Sequence, residues 1–390
     1  MADLDAMLAA LSREPDVGRA GFRAWDAADR YLLEHAAVEF PEALAGEVAV
    51  IDDTHGALAL GAELLGAGAV RVHQDSIVGQ RALVGNALRT GLAEPAQHPL
   101  SSVVTRATAL VLLRMPRSLD RLDAVARAVA AVAGPHLVLL AGNRVKHMTP
   151  TQNEVLAASF ARVDVTHARA KSRIIVGRDP RAGVAPPAPV MARLEPQPGG
   201  GGDDSRREVV FPATSAALTV VAVPGVFAGA NLDIGTRELL ATFHELPPFE
   251  RAIDLACGTG ILAVALARAH PRARVLATDV SAIAVASARL TAQANGVTVE
   301  TRHDDGLSAE PAASADLVVL NPPFHTGAAV TTEIAHRLFA DAARVLRPGG
   351  ELRVVWNSHL GYRPVLERLV GPTRQLARGR KFTVTASRRR

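Results

Sequence analysis

Cysteine is almost missing from this chain of 390 residues: Cys257 is the only one. That excludes an internal disulfide framework and any zinc or iron–sulfur site built from several cysteines. Lysine is nearly as scarce, with Lys146, Lys171 and Lys381 alone among 43 basic side chains, so arginine carries the basic charge. Aromatic residues make up 4%, which leaves Ala, Val and Leu as core material. The longest apolar runs, such as Leu137–Ala141, fall far short of a membrane span. The opening stretch, MADLDAMLAALSREPD, carries acids where an export signal would carry bases, so a cytoplasmic protein without membrane contact is expected.

The chain is too long for one ordinary core, and two domains are the natural expectation. Apolar residues at 48% suit a globular protein, and the formal net charge is +4. Arginine suits phosphate and base contacts through its planar fork. A general preference for Arg and Ala codons would give the same count, so charge alone says little about nucleic acid.

Pattern says more. Strand-like runs at Gly46–Asp53, Ala69–Asp75, Ala109–Leu113 and His136–Ala141 alternate with helical runs at Ile77–Leu88 and Leu119–Val132. Such alternation predicts a parallel sheet covered on both faces. A helix near Asn153–Phe160 and strands near Arg162–His167 and Arg173–Val176 complete a first unit over residues 1–178. Residues 179–208 are rich in proline, end in a run of glycines and charges, and read as a linker. The same alternation returns over 209–390, giving a second α/β domain. RVHQDSIVGQRALVGNAL can be laid over RVLATDVSAIAVASARLTAQANG, and Asp52 to Asp75 spans 23 residues where Asp254 to Asp279 spans 25. An internal duplication accounts for the likeness.

The chemistry concentrates at ADLVVLNPPFH, Ala315–His325. An apolar strand must stop at Asn321 because Pro322 and Pro323 cannot donate to a sheet ladder. What remains is a stiff platform with one amide, a free Pro322 carbonyl and the Phe324 ring. It can accept two hydrogen bonds from a planar amino group while a base stacks on the ring. The alternative is a strand followed by an ordinary proline turn.

A second constellation, IDLACGTG at Ile253–Gly260, lies between a strand and a helix. Gly258 and Gly260 permit a tight turn and close approach of a ligand, with Cys257 and Thr259 as small residues of the same loop. Asp254 can meet an ammonium group or order the loop. Asp279, 19 residues past the loop, suits two ribose hydroxyls, and Asp305 an adenine amino group. An NAD enzyme would fit the loop equally, but hydride transfer has no use for Asn-Pro-Pro-Phe. Transfer of a methyl group to an amino nitrogen does.

On these residues, the C-terminal domain resembles class I S-adenosylmethionine-dependent methyltransferases. The whole chain is similar to the bacterial ribosomal RNA guanine-N2 methyltransferases built from two tandem methyltransferase-like domains. PGVFAGANLDIGTRELL, IDLACGTG, Asp279, Asn321–His325, GELRVVWNSHL and GRKFTVTA carry the likeness over Val209–Ser387. FRAWDAADRYLLEH and NSHLGYRPVLE favour the large-subunit branch. The resemblance implies two tandem Rossmann-like α/β domains, the first degenerate. It implies S-adenosyl-L-methionine held by Asp254, Cys257, Gly258, Thr259, Gly260, Asp279, Asp305 and Asn321. Catalysis falls to Asn321, Pro322, Pro323 and Phe324, with no metal. The implied partner is ribosomal RNA, 23S rather than 16S, or a ribosomal subunit precursor, met by a monomer. Two departures stand out: Ala256 where the loop commonly has its first glycine, and Asp305 where asparagine is expected.

In the first domain Asp52–Gly56 match the glycine loop, and Arg114-Met115-Pro116-Arg117 match the platform. Arginine cannot accept a hydrogen bond from a base amino group, so this copy has no use for the chemistry. The resemblance implies an inactive copy that helps hold RNA and supports the fold. Arg114, Arg117, Arg144, Lys146, Arg169, Lys171 and Arg173 are candidates for phosphate contacts, with ordinary solvated side chains as the alternative. Competing readings are methyl transfer to adenine N6 or to a protein glutamine, and an RNA-binding assembly protein without activity.

Overall fold

A computed structural model describes residues 2–16, 22–195, 217–323 and 328–390. The chain divides into two units, Met1–Ala188 and Pro189–Arg390. In the first, seven strands form one sheet: Glu47–Ile51, Ala69–His73, Ala96–Gln97, Thr108–Arg114, Val138–Arg144, Phe160–Val165 and Ser172–Pro180. In the second the corresponding strands are Arg251–Leu255, Arg274–Asp279, Glu300–His303, Ala315–Leu320, Leu346–Asn357, Thr373–Arg378 and Phe382–Arg388. Counted within each unit, both sheets have the order 3-2-1-4-5-7-6.

The expected parallel sheet is observed for the first five strands of each unit. The sixth and seventh correct it. Both run antiparallel to their neighbours, because they form a hairpin rather than a helical crossover.

Burial on both faces explains the apolar character of the central strands. Leu317 and Val319 enter one core cluster, while Val318 and Leu320 enter the cluster on the opposite face. The first unit repeats this, with Leu110 and Leu112 on one side and Val111 and Leu113 on the other.

The segment expected as a linker over 179–208 is partly built into the fold. The strand Ser172–Pro180 runs into it, and Val190–Leu194 forms an antiparallel ribbon with Leu218–Ala222. Ribbon pairing with an apolar strand outweighs the local proline content. Residues 196–216 lie outside the described residues, and with them the expected start of the second domain at Val209.

Strand order places the site. The first and fourth strands are neighbours, with Leu255 beside Leu320, so the loops that follow them leave the same edge of the sheet together. Sheet order reverses there, which is where open α/β sheets bind ligands.

Candidate active site

The loop after Leu255 turns on three left-handed residues, Ala256 (φ 57°), Gly258 (φ 53°) and Gly260 (φ 76°). Gly260 also has no room for a side chain, since a Cβ there would sit 2.7 Å from that of Ala288. A Cβ on Gly258 would meet nothing within 4 Å, so this residue borders open space. Alanine at position 256 therefore keeps the glycine-like conformation that the family loop needs, with the strain of a Cβ.

Asp254 is fully buried at the strand end. Its Oδ2 accepts from the Ala263 N–H at 2.9 Å, while Oδ1 has no partner among the described residues. Burial pushes its carboxyl well above the usual range, against the pull of the Ala263 N–H and with the Asp279 charge adding to the rise. An unpartnered buried carboxylate oxygen fits a cationic or hydrogen-bond-donating ligand. Asp279 stands at the next strand end, its Oδ2 accepting from the Gly258 N–H at 3.0 Å and Oδ1 from the Ser281 N–H at 3.0 Å. It thus ties the glycine loop to the second strand. Cys257 is buried, and burial, then the charges of Asp279 and Asp254, raise its thiol well above its ordinary value. Nothing there makes it a nucleophile. Thr259 is buried in the same loop.

Asp304 and Asp305 divide their work. Asp304 accepts from the backbone N–H groups of Asp305 and Ala309 and from Ser308, which closes the turn. Asp305 is held by Arg337 through two parallel bonds, Nη1 to Oδ2 at 2.9 Å and Nη2 to Oδ1 at 2.5 Å. Arg337 fixes this carboxylate and was not legible beforehand, since it sits 32 residues on, in the helix Ala328–Val345.

The fourth strand ends at Leu320, as the two prolines require. Pro322 is buried and Pro323 exposed. Phe324 lies outside the described residues, and with it the expected stacking ring. Asn321 Nδ2 donates to Asp233 Oδ2 and to Thr236 Oγ1, both at 3.0 Å. A carboxylate only accepts, so the nitrogen must face Asp233, and Oδ1 is left to point the other way. Oδ1 is shielded from solvent and has no partner among the described residues. Asp233 is also the N-cap of the helix Ile234–Leu240, accepting from the Thr236 N–H at 3.2 Å. Gly235 packs against the amide: a Cβ there would lie 3.0 Å from Asn321 Oδ1. Nothing local in the sequence of this segment marks Asp233, Thr236 or Gly235 as neighbours of the amide.

The first unit repeats the frame with other side chains. Leu113 lies beside Ile51 as Leu320 lies beside Leu255, so Arg114 takes the place of Asn321. Arg114 binds Asp26 (2.6 and 2.9 Å) and Asp29 (3.2 Å), and Asp26 caps the helix Ala27–Glu39 with Asp29 at its third position. Asp26 and Asp29 thus stand where Asp233 and Thr236 stand. Gly56 (φ 92°) caps its helix as Gly260 does, and Asp52 (φ 60°) matches Ala256. Register also corrects the landmark pairs. Ile51 faces His73 and Leu255 faces Thr278, so Gln74, not Asp75, holds the place of Asp279, and Val50, not Asp52, that of Asp254.

Among curated proteins, the chain is 37% identical over 390 residues to the ribosomal RNA large subunit methyltransferase G of Streptomyces avermitilis, covering 96% of this chain and 95% of that one. The chain belongs to the ribosomal RNA large subunit methyltransferase G family. The member from Pseudomonas fluorescens is 34% identical, with 97% of each chain covered. The family described as "Methyltransferase small domain" matches residues 217–386, and the "RLMG N-terminal domain" matches 2–181. Among solved structures, the T. thermophilus 16S rRNA N2 methyltransferase RsmC, in complex with AdoMet and guanosine, superposes with a TM-score of 0.76. It shares 23% identity and covers 97% of this chain and 100% of its own, so this methyltransferase G family member has the same tandem fold. Among the described residues no helix is long and apolar enough to cross a membrane.

Proposed function

We propose that the protein transfers a methyl group from S-adenosylmethionine to the exocyclic N2 of a guanine in 23S ribosomal RNA, as a cytoplasmic monomer. The observation that carries this reading is the solvent-shielded, unpartnered Oδ1 of Asn321 at the end of the fourth strand. The curated relatives are named for the large ribosomal subunit, which favours 23S over 16S RNA. Residues 209–390 carry the catalysis, and residues 1–178 are a degenerate copy.

The residues present fit the cofactor. Asp254 offers an unpartnered oxygen for an ammonium group, Asp279 a carboxylate for ribose hydroxyls, and Asp305 a fixed carboxylate for an adenine amino group. Cys257, Gly258, Thr259 and Gly260 form the loop beneath. When bound, S-adenosylmethionine supplies an electrophilic methyl group on a sulfonium.

Guanine N2 is a poor nucleophile because its lone pair is delocalised into the ring. Asn321 Oδ1 accepts one amino proton and the Pro322 carbonyl the other, which localises the lone pair on nitrogen. Pro322 and Pro323 keep that carbonyl in place, and Phe324 stacks the base, which must be unpaired or flipped out. As positive charge grows on N2, the same two oxygens stabilise it, and neither has to reorient.

Tritiated methyl transfer tests the reading. The protein is given naked 23S RNA, naked 16S RNA or whole subunits, and the labelled nucleoside is identified. N2-methylguanosine in 23S RNA is expected. Label in 16S RNA, in N6-methyladenosine or in protein overturns the assignment.

A further inference from the structure

A second amide stands beside the first. Asn357 closes the strand Leu346–Asn357, which neighbours the strand that ends at Leu320. Leu320 lies beside Val354, so Asn321 falls level with Val355 and Asn357 two residues beyond it. Faces alternate in both strands: Val319 and Val355 enter one core cluster, and Leu320, Val354 and Trp356 the other. Asn321 and Asn357 therefore share the face of Val319 and Val355, on which Leu239 and Leu240 of the helix Ile234–Leu240 also pack. Strand spacing sets the two backbones roughly 8 Å apart.

The fold leaves the Asn357 amide unused. Asparagine at the start of a helical turn ordinarily accepts from a backbone N–H of that turn. Asn357 opens the 3-10 turn Ser358–Leu360 without such a bond. Its Oδ1 is shielded from solvent and has no partner among the described residues, as at Asn321. The backbone around it is well held. Asn357 pairs with Phe382, the Ser358 N–H donates to the Lys381 carbonyl at 2.9 Å, and the Ser358 and Thr383 hydroxyls meet at 2.8 Å. A shielded acceptor without a partner, on a fixed strand end, fits a donor from a ligand.

The first unit supplies a comparison. Leu113 lies beside Ala141 as Leu320 lies beside Val354, so Arg144 holds the place of Asn357 as Arg114 holds that of Asn321. The two amides stand together in one unit and are replaced together in the other. We infer that Asn357 reads the guanine base: its Oδ1 accepts from N1–H and its Nδ2 donates to O6. The inference rests on the guanine reading above. Along its Watson–Crick edge guanine offers the amino group, then the N1–H donor, then the O6 acceptor. With N2 on Asn321 and Pro322, the next two atoms need one acceptor and one donor, which a single amide supplies. Adenine with its amino group on the same platform would turn an unprotonated N1 toward Oδ1, acceptor against acceptor. Asn357 selects the base that Asn321 activates.

The test uses the full chain with S-adenosylhomocysteine present, and guanosine and 2-aminopurine riboside as probes. The second nucleoside keeps the amino group on C2 but has neither the N1 proton nor O6. Binding of each is followed by ligand-observed NMR. The wild type is expected to prefer guanosine about tenfold or more, the scale of one two-point amide contact to a base. In Asn357→Ala, guanosine binding should fall to the level of 2-aminopurine riboside, whose own binding should change little. Asn357→Asp keeps an acceptor for N1–H and loses the donor to O6, so its preference should lie between. Cofactor affinity by calorimetry, unchanged in both variants, reports that the protein is folded.

Equal binding of the two nucleosides by the wild type would overturn the inference. So would an Asn357→Ala variant that keeps the wild-type preference, or one that binds both nucleosides more weakly by the same factor, as loss of a merely structural residue would. If the wild type labels no ribosomal RNA, yet its preference for guanosine disappears in Asn357→Ala, the methylation reading fails and the base contact stands.

Discussion

Asn321 Nδ2 donates to Asp233 Oδ2 at 3.0 Å, and this bond sets which end of the amide is free to accept. The two residues are 88 positions apart, on a strand end and a helix N-cap. The first unit keeps the same pair of places as Arg114 and Asp26, joined at 2.6 Å as an ion pair. The frame that aims an amide in the second unit holds a guanidinium in the first.

Asp233→Ala removes both an N-cap and the anchor of the amide. Stability should fall by about 1 kcal/mol, the usual loss for such a cap. Turnover should fall further, by about 10²-fold, because Asn321 is free to flip. Cofactor affinity by calorimetry should hold. A variant with full turnover would show that the amide is oriented by something else.

Gly235→Ala separates stability from activity. Alanine favours the helix by up to about 1 kcal/mol, so melting should stay level or rise. Its Cβ would lie 3.0 Å from both Asn321 Oδ1 and Asp233 Oδ2, tighter than ordinary contact. Turnover with saturating substrates should drop about tenfold, since a shift of a few tenths of an ångström disturbs the acceptor. Unchanged turnover would mean that the amide has room to yield.

Asp279→Ala should weaken S-adenosylmethionine binding by about 1–3 kcal/mol, the scale of hydrogen bonds to a charged group. Calorimetry should also give one cofactor per chain, because in the first unit Thr54 stands in the place of Gly258 and the Asp53 carboxylate already takes the backbone N–H groups of Gly56, Leu58 and Ala59. Two sites per chain, or unchanged affinity in the variant, would contradict the assignments.

Asp29 provides a pH test. Burial pushes its carboxyl up to about 6, with Arg114 pulling it down and Asp26 pushing it up. The folded state then binds the proton more tightly than the unfolded chain, whose value is near 3.8. Asp29 thus contributes stability that is present below about pH 4 and lost as pH rises through about 6. Asp29→Asn should remove that fall, gaining on wild type by on the order of 3 kcal/mol between pH 4 and pH 7. Thermal melts of both proteins across that range are the check. Parallel curves would mean that Asp29 is ionised throughout.

Much of the fold was legible because strand and helix periods differ and both units alternate them. The site was legible where its residues fall at strand ends, as Asp254, Asp279 and Asn321 do. What escaped depends on tertiary packing. Nothing local tells that Asp233 and Thr236 reach Asn321, or that Arg337 reaches Asp305. The strand Thr373–Arg378 carries the sequence TRQLAR, too polar to announce an edge strand. Spacing misled at Asp75, since an acidic residue sits one place beyond Gln74, and only the strand register distinguishes them. Ala256 was noted as a departure from glycine. Its left-handed backbone shows that the loop kept its shape and took on the strain.

In this mechanism Asn321 Oδ1 activates the amino group. Asn321→Ala removes that acceptor and leaves Asp254, Asp279 and Asp305 in place, so most of the cofactor affinity should hold. RNA affinity should hold too, because phosphate contacts dominate it. Single-turnover methylation with saturating RNA and cofactor is the measurement. The rate should fall by about 10²–10³-fold, by analogy with removing one preorganised group from an oxyanion site. A folded variant that methylates within about threefold of wild type would leave no transition-state role for the amide and contradict the mechanism.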